Sequence, residues 1–183
     1  MSGINKSLIL HGGLIALLLV LGFVLPPYHH GNLARVMVLA VYAMGYNVLF
    51  GYTGLLSLGH AMFFAAGMYG MGLSIQHLGF SAEAALLSGI VAAFVLSTVV
   101  GLLALRTTGV AFMIVTLMFA QTGYLVILYF GEWTRGDEGF VIQKASRVIA
   151  GFDVSDPANR YMAALILFAI CLALILKLVQ NPF

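Results

Sequence analysis

Val36 to Ala82 is 47 residues long and carries no charged side chain. A transmembrane helix needs about 20 mostly apolar residues, so this one run has room for two. Two further charge-free runs follow, Ala84 to Leu105 and Thr107 to Gly131. A soluble domain of about 150 residues buries only about 70% of the surface its unfolded chain exposes. A chain that is 62% hydrophobic and 8% charged has too little polar surface for that. A soluble fold is therefore excluded. So is disorder, which needs low hydrophobicity and high charge. A net charge of +2 without a basic run excludes nucleic acid as a partner. The fold class is an all-α polytopic transmembrane bundle.

The charges divide the chain into six apolar runs. The first is Ser7 to Leu25, closed by Pro26 and Pro27; the 47-residue run supplies two, Ala84–Leu105 and Thr107–Gly131 one each, and Tyr161 to Leu176 the last. The first run lacks a small-x-small cleavage site before Pro26 and reads as an uncleaved span. The runs are continuous and do not alternate, which excludes a transmembrane barrel. Residues 1–183 read as a single membrane domain, and Glu132 to Arg160 as an extramembrane loop. The loop holds a short interfacial helix over Phe140, Val141, Ala145, Val148 and Ile149, with Gln143, Lys144 and Arg147 opposite. Lys and Arg counts alone leave the orientation open.

The segment from Asn47 reads NVLFGYTGLLSLGHAMFFAAGMYGMG. Gly51, Gly54 and Gly59, with Thr53 and Ser57, mark a broken or tightly turned helix near residues 51–59, because each glycine weakens a helix by about 1 kcal/mol. No charge accompanies the break. Non-helical backbone at membrane depth is tolerated only where protein or a water-filled cavity surrounds it. A path-lining broken helix and an ordinary tight turn both fit. Ser57 can cap the helix that follows. His60 reads either as a packing residue or as a proton or ligand contact. Asn47, Thr116 and Gln121 place further polar groups inside the spans, as interhelical bonds or as path contacts.

Small residues recur at helical spacing: Ala66, Gly70 and Ser74, then Gly89, Ala93, Ser97 and Gly101. They let helix backbones approach closely, so they are expected at helix–helix contacts. Glu83 behind Ser81 suits a helix start, and Asp156-Pro157 opens the last span. The lone Cys171 excludes an intrachain disulfide. The sequence has no phosphate-binding loop, paired-histidine metal motif or nucleophile elbow. No catalytic residue, resident metal or cofactor is expected, and an enzyme is the least supported class. No acidic pair lies in a span, so energy for uphill transport would come from another subunit. A proton-coupled secondary transporter would need a titratable pair, of which His60 offers half.

NVLFGYTGLLSLGHAMFFAAGMYGM resembles the signature of the branched-chain amino acid ABC transporter permeases, most closely the LivM-type half of that pair. ALRTTGVAFMIVTLMFAQTGYLVI resembles the family's next characteristic block, and WTRGDEGF its Gly-rich periplasmic loop. The resemblance implies a multi-pass subunit of the bacterial inner membrane with both Lys6 and Lys177 on the cytoplasmic side. Besides membrane lipid, it implies as partners a sister permease, two cytoplasmic ATP-binding subunits that use the ATP, and a periplasmic solute-binding protein. By motif position Asn47, Gly51, Gly54, Ser57, Gly59 and His60 fall on the family signature. Urea and short-chain amide permeases share the superfamily and give the alternative substrates. Members of the family are usually much longer, so the chain is expected to be the N-terminal part of a permease, and a non-transporting truncated membrane protein is a further alternative.

Overall fold

Proline and glycine set most of the helix ends. The computed structural model describes residues 2–139, 141–142, 147–149 and 151–180. Helix α1 (Ser2–Val24) stops before Pro26, because a residue preceding proline is pushed out of the helical region. Helix α2 (Pro27–Asn47) begins on Pro27, whose missing N–H and fixed φ suit the first helical position. A π-helical turn, Val48–Tyr52, continues α2. The chain leaves the helix at Gly54, which takes a left-handed φ of 71°. Residues 54–57 are irregular, residues 58–60 form a turn, and α3 (Ala61–Leu78) follows.

Gly79, also left-handed at φ 64°, closes α3. Ser81 then caps α4 (Ala82–Ala104): its hydroxyl accepts from Ala84 N, and Glu83 lies in the positive first turn. Helix α5 (Gly109–Tyr129) leads into the short α6 (Gly131–Thr134) and a 3₁₀ turn, Gly136–Glu138. Two two-residue strands, β1 (Val148–Ile149) and β2 (Phe152–Asp153), precede α7 (Pro157–Gln180).

Each of the six apolar runs thus supplies a helix. Among the described residues four helices are long and apolar enough to cross a membrane: Pro27–Tyr52, Ala82–Ala104, Gly109–Tyr129 and Pro157–Val179. The apolar part of α1 is shorter, Ile9–Val24. Three glycines and the polar turn Ser74 to His77 dilute α3. The interfacial helix expected over residues 140–149 falls partly on residues outside the described set. At its described positions Val141 and Ile142 are irregular, and Val148–Ile149 are extended, a conformation that suits β-branched side chains.

The chain divides into two compact units, Met1–Gly45 with Phe152–Phe183, and Tyr46–Gly151. The first packs α1, α2 and α7 around Ala34, Met37, Tyr161, Ala164, Leu165, Phe168 and Leu172. Its tightest point is Tyr161, whose hydroxyl donates to Leu18 O in α1. A Cβ on Gly22 would come within 2.6 Å of the Tyr161 ring, so glycine there is what lets the ring lie against α1. The second unit packs α3, α4 and α5 around Val100, Ala104 and Phe112. Leu87, Ile90, Phe94 and Leu102 of α4 and Val110, Met118 and Leu125 of α5 stay exposed. Helices apolar on their outer faces belong in hydrocarbon.

The α3–α4 contact rests on small residues. A Cβ on Gly70 would lie 2.7 Å from Ala92 Cβ and 3.1 Å from Gly89 Cα, and one on Gly89 2.6 Å from Gly67 O. Two serines add polar bonds. Ser88 donates to Ser74 at 2.7 Å, and Ser74 donates to Gly70 O at 2.7 Å.

Candidate functional site

The break between the π-helical turn and α3 is held by α5. Thr116, 3% exposed on α5, accepts from Leu58 N at 3.2 Å and donates to Met113 O at 3.0 Å. One hydroxyl thus satisfies a backbone donor of the irregular segment while satisfying its own proton. One residue on, Gly59 is buried against the same turn of α5. A Cβ there would lie 2.0 Å from Thr116 O and 3.3 Å from Ala120 Cβ. Only glycine permits this approach.

Ser57 precedes these contacts. It is 4% exposed, and its hydroxyl has no hydrogen-bond partner. No side-chain cap bond is made at the N-terminus of α3, where His60 occupies the cap position. The His60 ring packs edge-on against Tyr46 and Phe63, with centroids 5.3 and 5.7 Å away.

Upstream, Gly51 does not break the helix, contrary to what the glycine cluster suggests. It lies within the π-helical turn and makes room for Asn47, whose Oδ1 would be 2.7 Å from a Cβ at that position. Thr53 donates to Leu49 O, which keeps the last turn closed. The break begins at Gly54, where a side chain would find open space but a strained backbone. π-Helical turns are rare and concentrate at functional sites.

The structure therefore gathers Ser57, Gly59 and Thr116 in one place, with His60 beside them. Asn47, Gly51 and Gly54 line the upstream arm. Gln121 is exposed on α5, away from the buried Thr116 face. Of the small residues, Gly70, Ser74, Gly89 and Ala93 lie at the α3–α4 contact. Ala66 lines a cleft instead, Ser97 bonds Phe94 O of its own helix, and Gly101 has nothing within 4 Å. The sequence pattern does not single out Tyr46 or Ser88. Tyr46 is adjacent to Asn47 at the head of the signature, and Ser88 to Gly89, and those neighbours are the signals it offers.

The cleft holds about 600 Å³ between α3 and α5. Ala61, Ala65, Ala66, Ala120 and Gly123 form much of its wall, with Leu96 and Val100 of α4 contributing. Apart from Tyr69, Thr122, Tyr124 and Thr134 its lining residues are apolar, which suits an apolar occupant. Among the described residues no group of three His, Cys, Asp or Glu is placed to hold a metal ion.

A family model described as the permease component of the branched-chain amino acid transport system matches residues 30–181. Comparisons with curated proteins and with solved structures returned no match.

Proposed function

The chain belongs to the family of permease components of branched-chain amino acid transport systems, and from that premise we propose that it forms part of the translocation path of an ABC importer for leucine, isoleucine and valine. It is an integral membrane protein of a transport-permease family, which is not an enzyme family. The proposed setting is the bacterial inner membrane. The proposed assembly joins it to a sister permease, two cytoplasmic ATP-binding subunits and a periplasmic solute-binding protein.

The observation that carries the path is the irregular backbone from Gly54 to His60 between two apolar helices. Such backbone is stable at membrane depth only where it is buried in protein or lines a cavity. In transporters, broken helices of this kind hold the solute near the bilayer midplane. Asn47, Gly51, Gly54, Ser57, Gly59, His60 and Thr116 are the proposed path segment. Thr116 and Gly59 fix the backbone, and the polar groups beside them meet the solute.

The test is uptake by the complete transporter, purified through a tag on this chain and reconstituted in liposomes with its binding protein. ATP-dependent accumulation of leucine, isoleucine and valine is the expected result. Accumulation of urea or a short-chain amide in their place would move the chain to the alternative substrates. Uptake that needs a proton gradient and no ATP would overturn the importer assignment.

A further inference from the structure

We infer that the cleft between α3 and α5 holds one acyl chain of a zwitterionic phospholipid, drawn from the leaflet on the α6 side. Such a site is independent of which solute the chain transports.

Helices α3 and α5 run side by side in the same direction. At one end Gly59 lies against Thr116 and Ala120. At the other His77 Nε2 meets Trp133 O at 3.0 Å. The cleft follows α3 from Ala61 to Leu73 and reaches Thr134 of α6. From Ala61 to Leu73 a helix rises about 18 Å, against about 15 Å of hydrocarbon in one leaflet. Exposed Tyr129 and Trp133 adjoin the α6 end, and both residue types concentrate at headgroup level. The cleft therefore runs from headgroup level, about one leaflet deep, to the broken segment.

Its width decides between occupants. A volume of about 600 Å³ over that length leaves roughly 30 Å² of cross-section. A helix is about 10–12 Å across with its side chains and could insert no more than a row of them. A single hydrocarbon chain, whose carbons keep about 4 Å from their neighbours, fits within the width. Among the described residues no charged side chain lines the cleft. The hydroxyls of Thr122, Tyr124 and Thr134 already donate to Met118 O, Asp137 and Ile127 O. The cleft is also continuous with the lipid-facing surface: Val126 of its lining is exposed, as are Met118 and Leu125 of the same helix.

The rim supplies charges of both signs. Arg135 follows Thr134 and is exposed, and Glu132 and Glu138 are exposed three residues to either side of it. A guanidinium pairs well with phosphate, and the carboxylates suit an ammonium group. A headgroup carrying both is complementary to this rim. A purely anionic headgroup would meet Glu132, Asp137 and Glu138 with one arginine to offset them.

The test reconstitutes the complete transporter, purified through a tag on this chain, with equal amounts of phosphatidylethanolamine and phosphatidylglycerol. It is then washed in detergent and weighed by native mass spectrometry. The ethanolamine lipid is expected to be retained over the glycerol lipid by roughly threefold, the worth of one exposed ion pair. Photoreactive phosphatidylethanolamine locates it. A diazirine at the chain end should label the Ala65 and Phe119 region, and one near the ester Leu73 or Thr134. No retained lipid, preference for phosphatidylglycerol, or surviving label confined to the outer face of α4 at Ile90 and Phe94 would overturn the site. A cross-link from Ala65→Cys to a helix of another subunit would give the cleft to protein and overturn it as well.

Two variants separate chain from headgroup. Ala65→Leu with Gly123→Leu fills the cleft and should abolish the labelling; unchanged labelling of an assembled variant would overturn the proposal. Arg135→Gln lies outside the cleft and leaves its packing alone. It should keep the retained lipid and lose the threefold preference, and an unchanged preference would overturn the headgroup match even if the filled variant does not assemble.

Discussion

Gly59 and Thr116 meet backbone to backbone: a Cβ on Gly59 would stand 2.0 Å from the Thr116 carbonyl oxygen and 2.8 Å from its carbon. Neither atom can swing away as a side chain would. The first expected outcome follows directly. Gly59→Ala forces the irregular segment off α5, at about 1–3 kcal/mol or more of overpacking. Its thermal midpoint in detergent should fall by several degrees. Gly101→Ala, with open space around it, is the matched control and should hold or slightly raise the midpoint through better helix propensity. Equal midpoints for the two variants would contradict the contact.

Thr116 invites a finer comparison. Thr116→Val preserves shape and removes the hydroxyl, leaving Leu58 N without its partner. The bond is part-buried, so its loss should cost up to about 1 kcal/mol, below the penalty of a fully buried unpaired donor. Thr116→Ser retains both bonds and loses one methyl group. Protease sensitivity near Leu58, measured by cleavage rate in detergent, should rise for valine and stay near the parent for serine. The reverse order would show that packing matters here more than the bond.

The α3–α4 contact makes a similar pair. Gly89→Ala drives a methyl to 2.6 Å from Gly67 O, whereas a Cβ on Gly67 meets its nearest neighbours at an ordinary 3.7 Å. Gly89→Ala should destabilise by about 1–3 kcal/mol. Gly67→Ala should be close to neutral. Chemical denaturation in detergent followed by circular dichroism measures both.

Trp133 is the only tryptophan, and 58% of its surface is exposed in α6 beside exposed Tyr129 and Phe130. Tryptophan and tyrosine concentrate at membrane interfaces. His77 Nε2 donates to Trp133 O at 3.0 Å and so ties the end of α3 to the same level. Tryptophan fluorescence in liposomes should be quenched more by lipids brominated near the headgroup than by lipids brominated near the chain end. Stronger quenching from the chain end would place α6 inside the bilayer.

The orientation has its own test. Val141→Cys in a Cys171→Ala background should react with an impermeant thiol reagent in intact spheroplasts. Reaction confined to inverted vesicles would place the 132–160 loop on the cytoplasmic side.

Helix formation was legible because charge-free runs of span length have little alternative in lipid. The break was legible because Gly54 and Gly59 lie close together without a charge. Its partner was not, since Leu58 and Thr116 are 58 positions apart and nothing local marks a single threonine as the one that turns inward. Gly51 misleads for a physical reason: a glycine can weaken a helix or make space for a side chain, and here it accommodates Asn47. At the end of the expected interfacial helix Val148 and Ile149 are extended, and a handful of apolar residues fits a helical face as readily as such a pair.

The relay from Ser88 through Ser74 to Gly70 O has a mechanical meaning. Each hydroxyl proton is spent inside the α3–α4 pair, and the flanking glycines leave no slack for one helix to slide along the other. The pair is a stiff beam. At one end of it Gly59 is bolted to α5. Bending is cheapest upstream, at the left-handed Gly54 and the loosely wound turn before it, so strain that reaches this unit would be taken up there while the beam keeps its shape.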